Sequence, residues 1–371
     1  MVYLDNAATT KMDLEVLDFM HDIMRSHYGN PSSIHAYGRQ TRVIVESARS
    51  KIAALLNVNP AEIFFTSGGT EGINTIVKGV LSKSEITKVI TSPTEHSAML
   101  ESIKHYAALY NVEVCLLPVD EKANVDLIAL QQELENCEGR AMVSLMHANN
   151  EVGTLLSIKK VGEICKKHNA LFFSDTVQTM GKFKNDFSNN YPDFAVGSAH
   201  KFHGPKGVGF MFINGNNKVD PLFIGSQERN MRAGTENVFA IAAMAKALEI
   251  AYENMDAVAE RYSKFKNYLI NKITLELPNL NFHGDVHGLP NIINIAVPKA
   301  ENNQMLLMQF DIAGIMVSGG SACSSGALKD SHVIEAIGRS NEYRAIRLAM
   351  SKYTIQDDLD AFFIVLKQAV S

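Results

Sequence analysis

Phe64-Phe65-Thr66-Ser67-Gly68-Gly69-Thr70-Glu71-Gly72 reads as a strand, then a glycine turn, then the start of a helix. The first N–H groups of a helix have no intrahelical acceptor, and together with the helix dipole they attract an anion. The glycines let a ligand approach the main chain, and the Thr70 hydroxyl adds a donor. A Walker-type loop is excluded because no Gly-Lys-Ser/Thr follows. The alternative is an ordinary capped turn between strand and helix.

Working outward, strand-like and helix-like segments alternate from about residue 40 to about residue 255. Short apolar strands are predicted at 63–65, 88–90, 112–119, 142–146, 171–173 and 208–213, with amphipathic stretches at 42–56, 98–110 and 158–168 between them. This alternation predicts an α/β fold with a mainly parallel central sheet. Ligands of such sheets bind beyond the carboxyl ends of the strands. Residues 240–277 read as one or two long helices ended by Pro278. Fewer, shorter strands follow (292–297, 345–350), then a final helix at 356–369. A chain of 371 residues exceeds what one hydrophobic core usually serves. The expected division is a large α/β domain over 14–255 and a smaller α+β domain made of 1–13 and 256–371.

The formal net charge is −5 and no basic run is present, so no nucleic-acid surface is expected. The segment Met1-Val2-Tyr3-Leu4-Asp5 lacks the basic head and apolar stretch of a secretory signal. No apolar run approaches a bilayer span, so no membrane association and a cytoplasmic location are expected. The four cysteines, Cys115, Cys137, Cys165 and Cys323, are far apart with no Cys-x-x-Cys pair, which argues against zinc or a disulfide framework. Cys115 lies in a strand-like run and is expected in the core. Cys137 and Cys165 lie in helical patterns. Cys323 differs: it sits in Ser318-Gly319-Gly320-Ser321-Ala322-Cys323-Ser324-Ser325-Gly326-Ala327, where nearly every side chain is small. No large apolar side chain would pin it to a core, so this thiol reads as one presented for chemistry. The alternative is a Gly/Ser turn that happens to hold a cysteine.

Other residues with chemical potential fall at predicted strand ends. Lys201, in Gly197-Ser198-Ala199-His200-Lys201-Phe202-His203-Gly204, follows an apolar stretch and is hemmed by Ser, His and Gly. Such a lysine can form a Schiff base with an aldehyde cofactor. His200 and His203 as a metal pair would need a third ligand, and none is apparent, so no metal is expected. Asp175 and Gln178 follow one strand, and a carboxylate there can hold a pyridine nitrogen protonated, making the ring an electron sink; the alternative is a helix cap. His96 could stack on a planar ring or shuttle a proton, or be merely structural. Asn149-Asn150-Glu151 takes a similar position. A phosphate cradle, a Schiff-base lysine and a ring-nitrogen acid together fit pyridoxal 5′-phosphate.

With those residues in place, the chain resembles the NifS/IscS-like cysteine desulfurases, fold-type I pyridoxal-phosphate enzymes of the class-V aminotransferase family. The resemblance is carried by Tyr3-Leu4-Asp5-Asn6-Ala7-Ala8-Thr9-Thr10, Gly29-Asn30-Pro31-Ser32-Ser33, Ser67-Gly68-Gly69-Thr70-Glu71, Glu95-His96, Asn149-Asn150-Glu151, Asp175 with Gln178, Ser198-Ala199-His200-Lys201, Arg232-Ala233-Gly234-Thr235 and Ser321-Ala322-Cys323-Ser324-Ser325. It implies that Lys201 binds the cofactor covalently and moves the Cα proton. Gly69, Thr70, Ser198 and His200 would hold the phosphate, with Thr235 reaching the phosphate of a neighbouring subunit in a homodimer. Asp175 would pair with the ring nitrogen, His96 stack on the ring, and Gln178 and Asn150 contact the ring oxygen and substrate side. Arg347 would grip the substrate carboxylate, with Asn30 and Asn150 also toward substrate. The implied reaction converts L-cysteine to L-alanine, leaves a persulfide on Cys323, and passes the sulfur to an acceptor protein such as an iron–sulfur scaffold. Thr176 stands where the family commonly has Ala, and its side chain is expected near the ring. Selenocysteine lyase, cysteine sulfinate desulfinase or aminotransferase activity on the same scaffold, and a non-catalytic sulfur-transfer docking protein, are the alternatives.

Overall fold

The computed structural model describes residues 1–83, 85–189, 191–300, 303–320 and 331–370. Its centre is a seven-stranded sheet of β2 (Ile63–Thr66), β3 (Ile86–Thr91), β4 (Glu113–Leu116), β5 (Arg140–Ser144), β6 (Leu171–Asp175), β7 (Phe194–Ser198) and β8 (Gly209–Ile213), in the order β2-β8-β7-β6-β5-β3-β4. β3, β4, β5, β6 and β7 pair in parallel, while β8 runs antiparallel to both its neighbours. The mainly parallel sheet expected from the alternating pattern is therefore present. Its parallel strands end on one edge, where His96, Asn150, Asp175 and Lys201 follow or close β3, β5, β6 and β7.

Side chains alternate between the two faces of a strand, and the central strands β5 to β8 are buried on both. On β8, Phe210 and Phe212 pack with α2 (Ala36–Leu56) and α7 (Val238–Glu253), while Met211 and Ile213 pack with α3 (Gly69–Leu81) and α4 (Ser97–Tyr110). On β7, Ala195 joins the first group, and Phe194 and Val196 join the second. β7 sits centrally and is buried throughout. In the sequence it reads only as an apolar stretch before Lys201, because it is short and runs straight into a turn.

A separate apolar cluster gathers Leu4 with residues from Tyr262 to Ala369. It surrounds a three-stranded antiparallel sheet of β9 (Asn281–His283), β10 (Ile292–Pro298) and β12 (Tyr343–Ala349), packed by α8 (Met255–Glu276) and α11 (Gln356–Val370). We propose on this clustering that the domain boundary falls at residues 255/256, with residues 1–13 joining the smaller unit. β1 (Val2–Tyr3) pairs in parallel with β11 (Ile315–Met316).

Two cysteine expectations need correction. Cys115 lies on β4, a four-residue strand at the sheet edge, and is only half-buried. Cys137 lies beyond Asn136, the C-cap of α5 (Leu127–Glu135), and is not helical. Cys165, in α6 (Ile158–Lys167), is buried, and burial pushes its thiol pKa up.

One buried ion pair ties the start of the cradle to the helical layer. Arg49, 1% exposed, meets Glu228, 2% exposed, through two bonds of 2.7 and 2.8 Å. Glu228 Oε2 also accepts the Phe65 N–H at 2.9 Å, and Arg49 donates to the Ile63 carbonyl at 2.7 Å. Glu228, Arg229 and Asn230 all have positive φ (47°, 56° and 67°), so three consecutive side chains are held in a left-handed turn. Removing one partner leaves an uncompensated buried charge. Arg49→Met is expected to cost about 3–5 kcal/mol, read as a lower urea midpoint, and Arg49→Met with Glu228→Leu should recover part of the loss.

Candidate active site

The strand ends open into a cavity of about 230 Å³. Lys201 enters it from the short turn Ala199–Lys201 that follows β7. Its Nζ donates to the carbonyls of Ala7 and Ala8 at 2.6 and 2.8 Å. Asp175 is the last residue of β6 and forms another wall. Burial pushes its carboxyl above the ordinary range, with His96, the Val177 N–H and Lys201 opposing. A cationic ring nitrogen would restore the charged form.

His96 is the N-cap of α4, and its Nδ1 accepts the Ala98 N–H at 3.1 Å. A nitrogen that accepts an amide hydrogen carries no proton, so the neutral ring holds its proton on Nε2. Burial, first of its causes, lowers the pKa and favours that neutral form. His200 is likewise pushed down to about 4, chiefly by burial. Its Nδ1 lies 3.1 Å from Thr9 Oγ1.

At the other end, Gly69 and Thr70 open α3, a helix of 13 residues, and line the cavity with Ser198 and His200. A methyl group on Gly69 would lie 2.9 Å from Val177 Cγ2, so the absence of a side chain keeps this end open. Glu71 does not face an incoming anion. Its carboxylate takes Arg232 through bonds of 2.9 and 3.3 Å and accepts the Ser67 N–H at 2.9 Å.

The third wall comes from β12. Arg347 is 1% exposed; its Nη2 pairs with Asp5 at 2.7 Å, and its Nη1 donates to the Asn150 carbonyl at 3.1 Å. Asn149 shapes the turn by accepting the Glu151 and Val152 N–H groups, leaving Asn150 to line the cavity. Two atoms of lining residues, Arg347 Nε and Gln178 Oε1, are buried without hydrogen-bond partners among the described residues. A ligand bearing a carboxylate and a ring hydroxyl would complete them. An anion cradle, a lysine amine, a carboxyl opposite and unpaired polar atoms between are a donor set that fits pyridoxal 5′-phosphate.

The structure thus gathers Gly69, Thr70, His96, Asn150, Asp175, Gln178, Ser198, His200, Lys201 and Arg347 around one cavity. Asn30 and Thr235 do not line it. Both are exposed, and the Asn30 side chain accepts the Ser32 N–H at 2.9 Å. Cys323 lies outside the described residues. Thr176 is a correction: it is fully buried, and its hydroxyl donates to the Val196 carbonyl at 2.7 Å, toward β7 and away from the cavity. Successive side chains at a strand end point to opposite sides, and Asp175 takes the cavity side. No group of metal-ligating side chains is found among the described residues.

Sequence reading missed three kinds of contributor. Ala7 and Ala8 act through carbonyls, which no side-chain pattern reveals. Ile73, Met146 and Val177 supply apolar lining. Lys182 donates to the carbonyls of Gln178 and Lys201 at 3.0 and 3.2 Å, joining two site turns. A lysine amid Met180-Gly181-Lys182-Phe183 was the available signal.

Burial, and then the charge of Lys201, lowers the Lys182 pKa to about 7. The unfolded chain binds this proton up to about pH 10.4. Between those values the unfolded state holds more protons, so this group makes stability rise with pH from 7 toward 10. Lys182→Met should flatten the slope of stability against pH by up to about 1.4 kcal/mol per pH unit in that window. Urea denaturation at several pH values reads it.

A family model described as aminotransferase class-V matches residues 2–362. A cysteine desulfurase IscS of Dictyoglomus turgidum is 40% identical over the whole chain and 94% of its own length. A solved NifS-like protein is 37% identical with a TM-score of 0.89, covering 99% of this chain and 98% of that one. A NifS-like protein from Rickettsia africae superposes equally well, with a TM-score of 0.89 at 31% identity over 100% of this chain and 99% of that chain.

Proposed function

The chain belongs to the class-V aminotransferase family, among its NifS/IscS-like cysteine desulfurases, and from that membership we propose that it takes sulfur from L-cysteine with pyridoxal 5′-phosphate as cofactor. The observation that carries the reading is the placement of Lys201 Nζ and Asp175 in one cavity beside the α3 cradle. Gly69, Thr70, Ser198 and His200 would hold the phosphate, Asp175 the ring nitrogen and Lys201 the aldehyde carbon. When bound, the cofactor supplies an electron sink for the substrate Cα.

The chain's own groups do the rest. Arg347 orients the substrate carboxylate, in the planar fork geometry that suits that contact. The released Lys201 amine takes the Cα proton. His96 presents its Nε2 proton and acts as a donor, since Nδ1 is committed to Ala98. The Cys323 thiolate attacks the substrate sulfur. The S–S bond forms as the Cβ–S bond breaks, its electron pair stays with carbon, and carbon takes a proton. L-cysteine and the Cys323 thiol thereby become L-alanine and a Cys323 persulfide, with no external oxidant. The outer sulfur then passes to an acceptor protein, which we take to be a scaffold for iron–sulfur cluster assembly.

We propose a homodimer in which Thr235 serves the neighbouring subunit's phosphate. Thr235 is exposed and off its own cavity, and Ile34 and Ile224 stand 90% and 87% exposed. The net charge of −5 supports small-molecule and protein partners over nucleic acid. No helix among the described residues is long and apolar enough to cross a membrane, which agrees with the cytoplasmic placement we propose.

Incubation with L-cysteine and pyridoxal 5′-phosphate should yield alanine and add one sulfur to the Cys323 peptide, read by mass spectrometry. Lys201→Ala should lower alanine formation by roughly 10²–10⁴-fold and lose the lysine-bound cofactor absorbance. Cys323→Ala should keep that absorbance and stop turnover. Wild-type alanine release without sulfur on Cys323 would refute the relay.

A further inference from the structure

The described residues on the two sides of the Cys323 segment meet at one buried carboxylate. Glu151 is 0% exposed, and its Oε2 accepts a hydrogen bond from Ser331 Oγ. A methyl group at Gly320 would lie 3.0 Å from the same Oε2 and 3.0 Å from Ser331 Cβ. The backbone entering the segment and the residue leaving it therefore lie close to one oxygen, and a side chain at 320 would have to push Glu151 or Ser331 aside.

Each side is held further. Before the segment, Ser318 pairs with Arg347 in both directions, at 3.2 and 2.6 Å. After it, the Ser331 hydroxyl caps α10 (His332–Ala336) by accepting the Val333 N–H at 3.0 Å. His332 Nε2 lies 2.9 Å from the carbonyl of Glu95, the neighbour of His96. Glu151 itself is fixed to the site wall. Its N–H donates to Asn149 Oδ1 at 2.9 Å, its carbonyl accepts Asn294 Nδ2 at 3.1 Å, and it directly follows Asn150.

We propose that Glu151 is a positioning residue for the thiol, fixing the base of the Cys323 segment to the wall that carries Asn150. The inference rests on the reading of Cys323 as the sulfur acceptor. Cys323 stands three residues after Gly320, and three residues reach at most about 11 Å. A base displaced by a few ångströms displaces everything the thiol can reach, and a misplacement of about 1 Å can cost on the order of 10² in rate.

The test separates the thiol step from lysine chemistry. Exchange of the L-alanine Cα hydrogen with deuterated solvent needs Lys201 and the cofactor but no thiol. Single-turnover persulfide formation on Cys323 needs both. Glu151→Leu should slow persulfide formation by about tenfold or more and leave alanine exchange within about twofold. In cofactor-free protein it should also raise the rate of Cys323 alkylation by iodoacetamide. Glu151→Gln keeps an acceptor oxygen without the charge and should behave as wild type. Should Glu151→Leu fail to fold, Ser331→Ala removes the bond from its other end and should show the same split, with Ser331→Thr restoring it.

Persulfide formation at the wild-type rate in Glu151→Leu and Ser331→Ala would overturn the proposal. So would a parallel fall in alanine exchange, or a Glu151→Gln as impaired as Glu151→Leu, which would point to charge rather than position. If wild type forms no persulfide while alanine exchange proceeds, the proposed function falls, and the role of Glu151 falls with it.

Discussion

Lys201 donates to two main-chain carbonyls, Ala7 and Ala8, and the site is organised around that contact. The segment from Asp5 to Asp13 is bonded on both sides. Toward β12, Asp5 holds Arg347, and Asn6 Nδ2 donates to the Ala349 carbonyl at 2.8 Å. Toward the β7 turn, Thr10 Oγ1 donates to the His200 carbonyl and accepts the His203 N–H. Gln178 Nε2 adds a second bond to the Ala7 carbonyl, at 3.0 Å. One short strap, buried at Asn6, Ala7, Thr10 and Asp13, thereby sets where the lysine amine and the arginine guanidinium stand relative to each other.

Burial is the second organising force. It lifts the Asp175 carboxyl and lowers His96 and His200, so the folded cavity favours uncharged forms. A ligand with an anionic phosphate at one end and a cationic ring nitrogen at the other brings charges that the cradle and Asp175 can each meet. Each interaction gains from the low local dielectric once both partners are present. The neutral tautomer of His96 is fixed by a different device, a main-chain N–H on Nδ1.

Much of this was legible in the residues. Apolar runs of three or more, such as Ile63-Phe64-Phe65 and Leu171-Phe172-Phe173, announced strands, and Gly-Gly-Thr announced a helix start. Side chains at strand ends identified most of the cavity. Legibility failed where a residue acts through its backbone, as Ala7 and Ala8 do, or where orientation decides. Thr176 sits beside Asp175 in sequence yet turns its hydroxyl to Val196, and only strand alternation at the observed boundary separates them. Arg347 was identifiable as a cation for a carboxylate, but Asp5, distant in sequence, already holds one of its nitrogens. β4 was predicted as eight residues and forms four, because an edge strand has one pairing partner and its ends are not held.

The strap also has a consequence for how the molecule is made. Asp5 pairs with Arg347 across 342 positions, and Asn6 with the Ala349 carbonyl across 343. Contacts of such separation are among the last a growing polypeptide can close. The large sheet can collapse while synthesis continues, but the cleft around Lys201 lacks its third wall until β12 has left the ribosome. A nascent chain stalled before that point would carry the lysine and the cradle without the geometry that commits them to one substrate.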